Sequence, residues 1–99
     1  MIDHVVLLAL KPDHDTAALA EVMAGLAALV GEIDGFTAFR HGTNRDYEGR
    51  SPAYGYGFVG QFRDGLALAV YAEDPRHQAL GARLVALCDD LLVADVDSD

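Results

Sequence analysis

Residues 1–10 form a run rich in Ile, Val and Leu that Lys11 and Pro12 close, which predicts a β-strand. Side chains alternate across a strand, so one face carries Ile2, His4, Val6, Leu8 and Leu10 and the other Val5, Leu7 and Ala9. Both faces are apolar. An antiparallel sheet in a small protein commonly packs one face and wets the other, so this strand asks for two covers. The chain has 99 residues, 52% of them hydrophobic, which is enough for one domain over residues 1–99 with a modest core. Its own helices can supply one cover, and the other must come from a partner surface.

The rest of the pattern supplies those helices. Asp13, Asp15 and Thr16 are N-cap candidates, and Leu19, Val22, Met23, Leu26, Leu29, Val30 and Ile33 recur at helical spacing. Residues 31–35 close that helix, residues 36–42 read as a strand, and residues 43–53 as a polar loop. Residues 54–62 are a further strand, with Tyr54, Tyr56, Phe58, Gly60 and Phe62 on one face and Gly55, Gly57, Val59 and Gln61 on the other. Asp64 caps a short helix through Leu66, Ala67, Val70 and Tyr71, and Pro75 starts another that carries Leu80, Leu84, Leu87 and Cys88. Residues 91–96 make the last strand, before the polar tail Asp97, Ser98 and Asp99. The order β-α-β-β-α-β, with the second helix broken at Pro75, predicts an α+β ferredoxin-like fold: a four-stranded antiparallel sheet with helices on one face. An uncovered apolar face is improbable on a monomer, and a second copy packed face to face is the simplest cover. A homodimer is therefore expected.

Charge narrows the partners. Sixteen acids against seven bases give a net charge of −9 and a pI near 4.6, which argues against nucleic acid or an anionic membrane. No apolar run approaches the ~18 residues of a membrane span, and Asp3 and His4 interrupt any signal-peptide pattern, so the expected compartment is the cytoplasm. One cysteine, Cys88, excludes an internal disulfide framework, and no metal-ligand spacing is present, so no metal site is expected.

His77 and Tyr71 stand out on either side of the Pro75 bend. An imidazole can pass protons near neutral pH, and a phenol beside it can polarise a carbonyl. Each also has a plain structural role, as a first-turn helix residue and as a helix-closing aromatic. His4 lies in an apolar row, where a hydrogen-bonded structural histidine is the commoner case. His14 and His41 read as exposed, and Cys88 as a packing residue on its helical stripe.

These features together resemble the stress-responsive A/B-barrel (Dabb) family. The features that carry it are residues 2–8, Gly42-Thr43-Asn44 and the aromatic strand from Tyr54 to Phe62. The most specific is Tyr71-x-x-Asp74-Pro75-x-His77, similar to the family's Y-x-x-H-P-x-H. The resemblance implies a ferredoxin-like subunit whose sheet pairs with a second copy to form a barrel, with the His4 face turned inward. In a branch similar to olivetolic acid cyclase, it implies metal- and cofactor-free acid–base chemistry with His77, Tyr71 and His4 in the catalytic positions. It further implies a pocket for a small apolar or amphipathic ligand between helices and sheet. Its helical positions match Val22, Met23 and Leu26, and its sheet positions Val6, Leu8, Phe58, Leu91 and Val93; Leu66 joins them as a further candidate facing inward from the short helix after Asp64. Two positions depart from that branch: Asp74 replaces the first histidine of the motif, and Tyr56 replaces a histidine of the third strand.

Overall fold

A computed structural model of the chain describes residues 1–98. Its elements are β1 (Ile2–Leu10), α1 (Thr16–Ala27), β2 (Phe36–Thr43), β3 (Tyr56–Phe62), α2 (Gly65–Glu73), α3 (Pro75–Ala86) and β4 (Cys88–Asp97). Asp99 of the acidic tail lies outside the described residues.

Each helix starts on an aspartate. Asp15 accepts from the Ala18 amide at 3.1 Å, Asp64 from Ala67 at 2.9 Å and Asp74 from Arg76 at 2.8 Å. Each such cap contributes about 1 kcal/mol by satisfying an amide the helix leaves unpaired. α1 stops at Ala27 rather than running on to Ile33. Gly31 and Gly35 take φ values of 80° and 83°, so the chain leaves the helix in turns, yet Leu29 and Ile33 stay buried. α2 and α3 meet at Asp74, which is extended because Pro75 disfavours a helical residue before it.

The strands pair antiparallel in the order β2-β3-β1-β4. β4 begins at Cys88, earlier than its apolar run suggests, since Asp89 and Asp90 continue the pairing with β1. All three helices pack on the side of Ile2, Val6 and Leu8, in one cluster with Val22, Met23 and Leu84. Phe36 and Phe62 stack there with ring centroids 4.7 Å apart and planes at 8°. Gly60 permits this, because a Cβ at that position would sit 3.1 Å from the Phe62 ring.

The opposite side of the sheet carries Val5, Leu7, Val59, Leu92 and Val96 with no helix over it. Leu92 and Val96 are 50% and 55% exposed. Leu7 leans over Gly57, whose missing Cβ would lie 2.9 Å from its side chain, whereas nothing comes within 4 Å of that position at Gly42.

Candidate functional site

Four elements bring His4, Tyr71, His77 and Asp95 together. His4 projects from β1 toward the helices, opposite Gly60 of β3 and Asp95 of β4. Tyr71 comes from the last turns of α2 and His77 from the first turn of α3, so the Pro75 bend folds one ring onto the other. Their centroids are 4.0 Å apart, and the His4 ring meets Tyr71 edge-on at 6.2 Å. Phe58 and Phe62 flank His4 at 6.3 and 6.2 Å.

Hydrogen bonds assign each ring a role. The Ala72 carbonyl can only accept, so His77 Nδ1, 3.3 Å away, carries the proton and Nε2 keeps a free lone pair. His4 Nδ1 donates to the Asp95 carboxylate at 2.5 Å, which leaves its Nε2 free as well. Burial lowers the His77 pKa, and the nearby His4 lowers it further, while the Ala72 carbonyl and Asp74 pull the other way. The neutral imidazole is thereby favoured. Tyr71 is buried, its hydroxyl has no hydrogen-bond partner among the described residues, and burial pushes its pKa up to about 12. It remains a proton donor at neutral pH. A neutral base next to a protonated phenol is the pairing that abstracts a proton from carbon and steadies the resulting oxyanion.

Asp74 stands in the motif position of a histidine and takes no part in that pairing. Its carboxylate caps α3 and grips the Arg76 side chain at 2.8 Å, and hydrogen bonding from Arg76 holds its pKa down at about 2. Tyr56 takes a hydrogen-bond partner of its own, His41 Nδ1, 2.6 Å from its hydroxyl. His14 contacts the Lys11 carbonyl at 2.7 Å, and Cys88 is buried, with burial raising its thiol pKa.

The side chains expected to line a pocket divide into two groups. Val6, Leu8, Val22, Met23, Leu26 and Phe58 are all buried in the common core, and Leu91 packs against it half-buried. Leu66 is corrected: it is 74% exposed, because Ala67 and Tyr71, four residues apart, form the inward stripe of α2 and turn Leu66 and Val70 outward. Val93 is likewise corrected to the rim. It pairs with buried Val6 on the helix side, but on edge strand β4 it is 51% exposed. Beside it, the Asp95 and His4 side chains keep 45% and 16% exposure, so the His4 ring is reached from the β4 edge. Asp95 is the member that sequence reasoning missed. Its alternation with Val93 and Leu91 places it on the helix side, but only the β1–β4 register sets it against His4.

Two surface clefts formed by the described residues are lined by other side chains than His4, Tyr71 and His77. One, of about 370 Å³, lies on the open sheet face among Val5, Leu7, Arg40, Gly42, Gly57 and Val59. The other, of about 450 Å³, is bounded by the loop from Thr43 to Ser51. Among the described residues no group of three or more His, Cys, Asp or Glu side chains could hold a metal ion, and no helix is long and apolar enough to cross a membrane.

Comparison with known proteins places the fold. A dimeric ferredoxin-like protein from Jannaschia sp. is 42% identical and superposes with a TM-score of 0.91, covering 98% of each chain. A protein from Arabidopsis thaliana is 26% identical with a TM-score of 0.88, over 100% of this chain and 96% of its own. The hydroxynitrile lyase of Passiflora edulis shares the fold, with a TM-score of 0.84 over 99% of this chain and 93% of its own, at 12% identity. No curated protein matches. The stress responsive A/B barrel domain matches residues 2–98, and with that the chain belongs to the Dabb family.

Proposed function

We propose that this Dabb protein works as a homodimer. In it, the His77–Tyr71 pair, assisted by the His4–Asp95 pair, exchanges protons with a small apolar or amphipathic carbonyl compound entering at the β4 edge. The observation that carries this reading is the unpartnered Tyr71 hydroxyl on a ring 4.0 Å from that of His77, whose Nε2 is free. In the reaction, His77 Nε2 takes the proton from the carbon next to the carbonyl. Tyr71 donates a hydrogen bond to the oxygen, on which the negative charge accumulates. The proton then returns to carbon, or the carbanion attacks a second carbonyl in an aldol-type closure, whose C=O π bond opens to an alkoxide that takes the proton back from His77 Nε2. The side chains behind His4 are packed in the core, which favours compact substrates held at the rim by Val93 and the His4 ring. The dimer reading draws on the uncovered apolar sheet face and on the dimeric relative at 42% identity.

The test is exchange of the carbon-bound protons of a small 1,3-diketone into deuterated water, followed by proton NMR. Wild type is expected to accelerate exchange above buffer. His77→Ala is expected to abolish the acceleration and Tyr71→Phe to reduce it by roughly ten- to a hundredfold. Equal acceleration by wild type and His77→Ala would remove the assignment. The same core packing favours a second reading, a non-catalytic assembly protein, and no acceleration by wild type with any accepted compound would support it.

A further inference from the structure

Among the described residues, the end of the sheet that holds His4 and His77 offers an anion no unmatched positive charge. The N-terminal amine of Met1 lies 3.5 Å from the Asp97 carboxylate. Arg76, beside His77, is gripped by Asp74, with Glu32 close enough to act on it. Arg63 follows the Ile2–Phe62 pair and lies between Asp34 and Asp64. The remaining basic side chains lie elsewhere. Lys11 reaches the Ala86 carbonyl at the far end of α3, and Arg83, in the last turn of that helix, pairs with Glu21 of α1. Arg40 pairs in register with Val59 on the open side of the sheet, and Arg45 and Arg50 belong to the loop after β2. Acids, by contrast, stand at the mouth itself. Asp95 meets His4 through one carboxylate oxygen and keeps the other. Asp97 falls on the same side of β4, ~6.7 Å further along the strand. Glu73 ends α2, two residues after Tyr71. Asp3 is the exception, since it alternates with His4 and takes the open side. A proton on His4 would be balanced by Asp95, and burial holds His77 toward its neutral form.

The proton transfer itself adds to this selection. When His77 Nε2 takes a proton from an uncharged compound, the C–H bond breaks and its electron pair moves onto the carbonyl oxygen. An enolate then faces an imidazolium, and the net charge of the site is unchanged. A carboxylate or phosphate on the same small molecule would set a further negative charge beside that oxygen and Asp95. It would lose hydration there and gain no cation in return. Nor can the phenol serve both groups. The Tyr71 hydroxyl is unpartnered, is not sealed from solvent, and has a single hydrogen to donate, which the carbonyl oxygen takes. From this layout we infer that the site selects by charge, taking uncharged carbonyl compounds such as ketones and esters and turning away carboxylates, phosphate esters and other anions. This inference rests on the proton-transfer reading above, and it concerns the helix side of the sheet, away from the face assigned to the second copy.

Ethyl acetoacetate and acetoacetate test it, because they share the exchangeable carbon-bound protons and differ in the charge. Exchange into deuterated water is followed by proton NMR for each, with free neutral imidazole as the reference for their intrinsic acidities. Relative to imidazole, wild type is expected to favour the ester roughly ten- to a hundredfold at low salt, and the ratio to shrink as sodium chloride rises. Asp97→Asn combined with Gln78→Lys strips the N-terminal amine of its carboxylate and adds a cation at an exposed position next to His77. This variant is expected to raise acetoacetate exchange roughly tenfold and to leave the ester within about twofold of wild type. Circular dichroism checks that these exposed substitutions leave the fold intact. A wild-type ratio equal to that of imidazole, or one that the double variant leaves unchanged, would overturn selection by charge while the His77–Tyr71 pair stands. A wild type that accelerates neither compound removes the role of that pair, and the selection with it.

Discussion

Val6 and Leu8 are buried beneath the helices, while Val5 and Leu7, their neighbours on the same strand, stay half-buried on a face no helix reaches. The two faces of β1 are nearly equal in hydrophobic content, so composition does not separate them. Polar detail does. The helix side admits an ordered polar group, with His4 fixed by Asp95 and its ring set edge-on to Tyr71. The open side carries Asp3 beside Val5 and Leu7 on β1, with Leu92 and Val96 exposed on β4. A closed core of this kind fixes a geometry that can support proton transfer, and an open apolar face offers a surface that a partner can cover.

The comparison breaks most readily in the core. Phe62→Ala removes a fully buried ring from the Phe36 stack and is expected to cost about 3–5 kcal/mol in urea unfolding, whatever the protein concentration. Leu7→Asp, on the other face, is expected to leave the subunit folded and to weaken dimerisation roughly a hundredfold or more, read by sedimentation. Should Leu7→Asp instead unfold the chain at low concentration, the open face would be part of the subunit's own stability. A smaller effect, about 1 kcal/mol, is expected from Asp64→Ala, which uncaps α2 and loosens the element that positions Tyr71.

Titration sharpens the closed face further. His77 has its pKa lowered by folding, so folding favours the neutral ring. Its contribution to stability is complete above about 6.5, the unfolded value, and is lost as pH falls through the lower folded value. Comparing the pH dependence of stability in wild type and His77→Phe measures it. Tyr71 has its pKa raised from 10.0 to about 12, so its contribution is present below 10.0 and declines as pH rises through that interval. Absorbance titration against Tyr71→Phe should show this phenol still protonated at pH 11, where a freely exposed tyrosine is ionised.

Much of this was legible in the sequence. Period-two alternation in residues 1–10 and 54–62, together with helical spacing from Leu19, specified the strands, α1 and the ferredoxin-like order. The Tyr71 to His77 segment pointed to the pair that the Pro75 bend stacks. Four features were not legible, because each depends on tertiary context. α1 ends at Ala27, where the Leu29 and Val30 amides turn back to the Leu26 and Ala27 carbonyls, while Leu29 and Ile33 keep a helical spacing that serves burial from a turn. Leu66 belongs to an apolar stretch, and only the packing of Ala67 and Tyr71 decides that it faces out. Val93 reads as core until β4 is known to be an edge. Asp95 gains its meaning from a partner 91 positions away in sequence.

Native mass by light scattering, followed from nanomolar to micromolar concentration, tests most directly the claim that the open face is covered by a second copy. The chain has a mass of 10.6 kDa. The account predicts a particle of twice that mass for wild type, falling to the single-chain value for Leu7→Asp. A wild-type mass of 10.6 kDa throughout the micromolar range would contradict it.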